Sequence, residues 1–119
     1  MKKRTRIMLL LLVLAAVLAV LTLFAARPAM PASWNSLRVG MTEREATPFF
    51  GPDADMGGMG FWEIVDYPAP MFGAHSYWRL GLHYDRPINH ITGDAKLVRV
   101  TARFVHPFWL LSSRSKRLV

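Results

Sequence analysis

Apolar and polar positions follow two different rules along this chain. From Ile7 to Ala26 every residue except Thr22 is apolar and none carries a charge. Twenty residues at a helical rise of about 1.5 Å span roughly 30 Å, the thickness of a bilayer's hydrocarbon core. Residues 7–26 are therefore predicted to form a transmembrane helix. Lys2, Lys3, Arg4 and Arg6 precede it, and basic residues on the short flank hold residues 1–6 in the cytoplasm. In a bacterium this gives a single-pass inner-membrane protein with the remaining chain in the periplasm. A cleaved signal peptide, which would leave a secreted or periplasmic protein, shares the basic start and the apolar run. Two features favour the uncleaved anchor. The run exceeds the ~7–15 residues of a signal core, and no clean small-x-small site follows. Cleavage after Ala29 or Ala32 would put Arg27 or Met30 three residues before the cut.

Residues 27–33 (RPAMPAS) form a Pro/Ala linker, expected to be a stiff spacer lifting the domain off the bilayer. A domain is predicted over residues 34–106. Thr42 has the chemistry of a helix N-cap, Glu45 completes a capping box, and Glu43 and Glu45 add favourable charge to the first turn. Pro48 predicts a helix that is short or kinked near Thr47, and Gly51-Pro52 predicts its end. Residues 53–60 (DADMGGMG) are expected to be a flexible loop. Three strands are predicted next, over Phe61–Tyr67, Tyr77–Asp85 and Leu97–Val105. In the second, Trp78, Leu80, Leu82 and Tyr84 share one face, opposite Tyr77, Arg79, His83 and Asp85. In the third, Val98, Val100, Ala102 and Phe104 oppose Arg99, Thr101 and Arg103. One-sided alternation describes an antiparallel sheet with one covered face and one wet face. The expected fold class is α+β: a small two-layer domain with short N-terminal helices packed on a three-stranded antiparallel sheet, preceded by a transmembrane helix. Trp62 and Trp78 are expected to carry much of its core. Residues 107–119 form an aromatic and basic tail.

Charge sharpens this division. The formal net charge is +7, but between Trp34 and Ser113 seven Lys/Arg oppose eight Asp/Glu. The excess lies beside the apolar run and in the tail, so the domain lacks the basic surface of a nucleic-acid-binding module. There is no cysteine, which excludes disulfides, thiolate chemistry and lipid attachment through a cysteine. His83, Asp85 and a nearby Asp66 form a conceivable acid–base group; ordinary strand polarity is the plainer explanation. His75, His83, His90 and His106 lack metal-ligand spacing, and no cofactor or phosphate-loop motif is present. No catalytic, cofactor or metal residue is assigned, and the chain is not expected to be an enzyme. Met56, Met59, Met71 and Phe72 lie in Gly/Pro-rich segments. They suit an adaptable partner-binding surface, or alternatively a cover for the open edge of a small core. In the tail, Pro107–Leu111 followed by bases fits contact with lipid headgroups or a partner, or a frayed terminus.

The stretch Leu37–Pro52 (LRVGMTEREATPFFGP) resembles the opening of the SmpA/OmlA, or BamE-like, envelope-domain family. Gly40, Met41, Thr42, Glu45, Phe50, Gly51 and Pro52 fill the places of its Gly-Met-Thr start, its acidic position and its closing Phe-Gly-Pro. The later YWRLGLHYD and KLVRVTARF segments are similar to its strands. The chain departs from the family in lacking a cysteine to lipidate, in the adjacency of Gly51 and Pro52, and in carrying Pro48. The resemblance implies a non-enzymatic envelope protein, an accessory to outer-membrane assembly or envelope integrity, with another envelope protein as partner and residues 7–26 in the membrane. An inhibitor- or ligand-binding module of the β-lactamase-inhibitor type is the alternative, because those proteins use a similar small unit.

Overall fold

A computed structural model describes residues 2–25, 27–70 and 75–119, with backbone alone at residues 24 and 25. Residues 7–25 of the apolar run lie within helix α1 (Lys3–Ala25). Residues Lys3–Leu23 are long and apolar enough to cross a membrane, and none of that surface is covered by the rest of the chain. This is the property shared by membrane anchors and signal sequences.

The remainder is α+β. Helix α2 (Glu43–Ala46) is a single turn, capped as its sequence dictates. Thr42 has extended backbone and its hydroxyl accepts from the Glu45 N–H at 3.3 Å, while donating to Glu45 Oε1 at 3.1 Å. The chain then tightens into a 3-10 turn over Thr47–Phe49, where Pro48 sits near the start and needs no N–H partner. A second 3-10 turn, Ala32–Ser36, carries Trp34.

The sheet has five antiparallel strands in chain order, two more than predicted: β1 (Asp55–Met59), β2 (Trp62–Pro68), β3 (Tyr77–Tyr84), β4 (Leu97–Val105) and the short β5 (Lys116–Arg117). Strand β1 falls where a loop was expected. Its glycines hide any strand pattern, yet all five residues pair with β2, from Asp55 opposite Asp66 to Met59 opposite Trp62. Gly60, at φ +61°, reverses the chain between them. Strand β5 pairs Arg117 with Thr101 and Lys116 with Ala102, so part of the expected tail belongs to the sheet.

Two core assignments change. Val98 was expected to face inward, but Tyr84 pairs with Leu97 and His83 with Arg99, so Val98 is the extra residue of a β-bulge. The bulge reverses the phase: Leu97 is fully buried and Val98 is 45% exposed. Trp62, expected in the core, is 39% exposed on the outer face. The fully buried tryptophan is Trp34, whose Nε1 donates to the Phe50 carbonyl at 3.1 Å and whose ring meets Tyr67 edge-on at 6.3 Å. Around it pack Leu37, Phe50, Val65, Leu80, Leu82, Leu97 and Val100. Trp78 packs against this cluster while half-buried.

The linker is not a free spacer. Trp78 Nε1 donates to the Pro28 carbonyl at 2.9 Å, and the Arg27 guanidinium lies 5.5 Å from the centre of the Phe104 ring. Leu118 and Val119 return to pack on the core, with the Leu118 N–H donating to Val100 at 2.8 Å.

Candidate functional site

The conformational demands of the Gly40–Pro52 motif are structural. Gly40 adopts φ +94° and donates to the Leu97 carbonyl at 2.8 Å; Leu97 donates back to Met41 at 2.7 Å. Met41 and Thr42 are thereby tied to the start of β4, with Thr42 bridged to Lys96. Gly51, at φ +103°, lies against the Tyr67 ring so closely that an added Cβ would stand 2.8 Å from a ring carbon. Pro52 follows in an exposed turn. These residues seat α2 on the sheet and present no shared surface for chemistry.

The covered face of the sheet is occupied by the core, whereas the outer face is open. Register places Met59, Trp62, His83 and Arg99 in one row across it, then Gly57, Ile64, Gly81 and Thr101, then Asp55, Asp66, Arg79 and Arg103. In the middle row the face is open over Gly57, while the Thr101 hydroxyl fills the space over Gly81. One depression of about 380 Å³ runs along Met59, Trp62, Ile64 and Arg79 beside β1. A second, of about 360 Å³, shares Trp62, Ile64 and Arg79 and continues to His83, Thr101 and Arg103. Nothing approaches within 4 Å of a Cβ built on Gly57. The floor is apolar and its flank is charged. Arg79 grips Asp66 with two hydrogen bonds, of 2.8 and 3.0 Å, and stacks 5.2 Å over Tyr77. The hydrogen bond to Asp66 raises the Arg79 pKa further.

The two described members of the predicted binding set contribute unequally. Met59 is 72% exposed and stands beside Trp62 on the outer face. Met56 pairs with Val65 and turns toward the opposite face, reaching only the rim of the first depression. Met71 and Phe72 lie outside the described residues. Trp62 and Ile64 were missed as surface residues because alternation in the first predicted strand does not reveal which of its faces will be covered, whereas Arg79 lies on the face expected to be wet.

The conceivable acid–base group is not assembled. His83 faces Arg99 at 3.4 Å, and its pKa is lowered by burial and then by that guanidinium. Asp85 lies past the strand end, where the Lys96 N–H at 2.9 Å and Arg86 occupy its carboxylate and hold its pKa low. Asp66 belongs to Arg79.

A different ionisable cluster was invisible in the sequence. Glu63, on the core face of β2, and Glu43, at the start of α2, are both almost fully buried. His90, from the 86–96 connection, reaches both: Nδ1 is 3.4 Å from Glu43 Oε2 and Nε2 is 3.5 Å from Glu63 Oε1. Glu43 also accepts from the Asn89 N–H at 3.0 Å. Burial raises the Glu63 pKa, opposed by His90 and assisted by Glu43. Tyr84, buried nearby, is pushed well above the ordinary phenol range by desolvation and then by the two carboxylates. His90 uses its two ring nitrogens on different carboxylates, so the three groups clip the connection to the sheet and do not converge on a common centre. Among the described residues no group of three or more His, Cys, Asp or Glu is arranged to hold a metal ion.

Comparison with known proteins adds no assignment: no family model, no curated protein and no solved structure matches the chain.

Proposed function

We propose that the protein is a membrane-anchored, non-enzymatic interaction module of the cell envelope. Its α1 helix lies in the inner membrane and its domain faces the periplasm, where it binds an extended segment of another envelope protein along the outer face and open edge of the sheet. The observation carrying this reading is the juxtaposition at β1. This edge strand is exposed along all five residues, and beside it stand the apolar side chains of Met59, Phe61 and Trp62, exposed by 72%, 57% and 39%. An edge strand offers backbone hydrogen bonds to an incoming strand, and an adjoining apolar trough supplies pockets for its side chains. The resemblance of Leu37–Pro52 to the SmpA/OmlA family supports the envelope setting, and the basic residues before the apolar run support the orientation.

The test is a photoactivatable cross-linker at Met59 in the full-length protein in cells, with Ile91, 87% exposed in the 86–96 connection, as the control position. The expected result is a discrete adduct with an envelope protein from position 59 and none from position 91. Identical backgrounds from the two positions would remove the proposed surface.

A further inference from the structure

The basic excess that the domain lacks gathers at one end of it, with exposed aromatic residues, beside the point where α1 ends. Arg27 follows Ala25 by two residues, so it lies within about 7 Å of the last helical residue. If α1 spans a bilayer, Arg27 is at the surface. Its stacking on Phe104 and the Trp78–Pro28 hydrogen bond fix that level to the end of the sheet where β3 begins and β4 finishes.

From that same end the chain continues into the segment 106–113. It is a closed loop rather than a frayed tail. The Ser113 N–H donates to the Phe104 carbonyl at 2.9 Å, and the Phe104 and His106 N–H groups donate to the Ser113 and Ser112 hydroxyls at 2.6 and 2.9 Å. A 3-10 turn over Trp109–Leu111 forms its tip. There Phe108, Trp109 and Leu110 are 47%, 74% and 60% exposed, an apolar cluster held outward by a bonded base.

Beside this loop, Arg27, Arg114 and Lys116 line one cleft of about 340 Å³ with Met30, Trp78 and Leu118. No acidic residue lines it, and residues 104–119 contain none. Among the described residues none of these three cations forms an ion pair; five of the domain's eight acids pair elsewhere, with Arg79, Arg86 or His90. Unpaired cations around an apolar cleft, next to exposed Trp and Phe, match the interfacial zone of a bilayer. Aromatic rings settle at headgroup level there, and basic residues are attracted to an anionic surface.

We propose that the Phe108–Trp109–Leu110 tip, with Arg27, Arg114 and Lys116, docks on the surface of the bilayer that α1 crosses and takes anionic phospholipid headgroups as its partner. The domain is then held against the membrane at two points, and the β1 edge is presented at a fixed height and orientation. This inference rests on α1 being a retained anchor.

The chain has no cysteine, so single reporter thiols can be placed at will. Leu110→Cys, Ile91→Cys and Val13→Cys, each in the full-length protein, are nitroxide-labelled and reconstituted in nanodiscs of phosphatidylglycerol and phosphatidylethanolamine. Collision with lipid-soluble oxygen is compared with collision with a water-soluble nickel chelate. The expected oxygen-to-nickel ratio is highest at position 13, aqueous at position 91, and several-fold above the position-91 value at position 110. Replacing phosphatidylglycerol by phosphatidylcholine is expected to lower the ratio at 110 while leaving 13 unchanged. A label at 110 as aqueous as that at 91, or one indifferent to anionic lipid, overturns the proposal while the anchor stands. An aqueous label at 13 overturns both the anchor and the docking.

Discussion

Replacing Trp34 separates the core seen in the structure from the one that hydrophobicity alone suggests. Its side chain is fully buried, and Trp34→Ala removes the ring together with its hydrogen bond to the Phe50 carbonyl. Truncating a buried aromatic residue costs about 3–5 kcal/mol, and leaving a buried acceptor unpaired adds about 1–3 kcal/mol. A loss of about 4–8 kcal/mol is expected. At ~0.05–0.15 kcal/mol per residue, the whole of the chain beyond the linker has only about 4–13 kcal/mol to lose. Trp62→Ala removes the same number of atoms from a site 39% exposed to water. It leaves no enclosed cavity, and the expected loss is about 1–2 kcal/mol. Thermal unfolding of the full-length protein in detergent, followed by the fluorescence of the remaining tryptophans, reads the contrast. At 4–8 °C per kcal/mol for a domain this small, the two midpoints should differ by roughly 10 °C or more. Trp34→Phe keeps most of the volume and loses the N–H; it should fall between wild type and Trp34→Ala, giving a usable midpoint if the alanine variant does not fold. A Trp62→Ala loss equal to or greater than that of Trp34→Ala would refute the core described above.

Two further predictions concern backbone strain and buried charge. Gly51→Ala forces an L-residue to φ +103° and drives its Cβ to 2.8 Å from Tyr67, whereas Gly40→Ala meets nothing within 4 Å at φ +94°; Gly40→Ala should cost about 1 kcal/mol and Gly51→Ala clearly more, measured by the same melts, and equal costs would contradict the packing of Tyr67. Glu63 has its pKa raised above 4.5 in the folded protein, so the folded state binds its proton more tightly than the unfolded state does. The stability this gives is complete below about pH 4.5 and is lost as pH rises through the raised value. Wild type should therefore lose stability relative to Glu63→Gln across that interval in urea titrations at successive pH values, and a difference of opposite slope would show that His90 outweighs burial.

Where a site depends on long-range pairing, the sequence is quiet. Met59 was recognisable as an adaptable exposed residue and Arg79 as a wet-face residue, but their companion Trp62 was not. Trp62 carries the same hydrophobic signal as a core tryptophan, and only the Met59–Trp62 and Trp62–His83 pairings put it outside. Glu63 shows the converse. A glutamate in FWEIVDY reads as solvated polarity, yet alternation with Val65 sends it inward, and its burial is tolerable because His90, twenty-seven positions later, closes over it.

What the chain determines by itself is local. The charge-free run from Ile7 sets the membrane-length part of α1, because hydropathy needs no partner. Thr42, Glu45 and Pro48 set the start and the tightening of α2, because caps and proline geometry act within one turn. Strand β3 buries Leu80, Leu82 and Tyr84 as its alternation dictates, because a central strand between two neighbours has its pleat fixed. Tertiary structure decides the rest. Strand β1 exists because β2 supplies the hydrogen bonds that Gly57 and Gly58 do not advertise. Leu97 replaces Val98 in the core because the segment Gly40–Glu43 and the bulge opposite His83 and Tyr84 reset the phase of β4. Trp34 becomes the centre because Phe50 and Tyr67 arrive from distant parts of the chain, and an isolated apolar residue cannot announce partners that only folding brings to it.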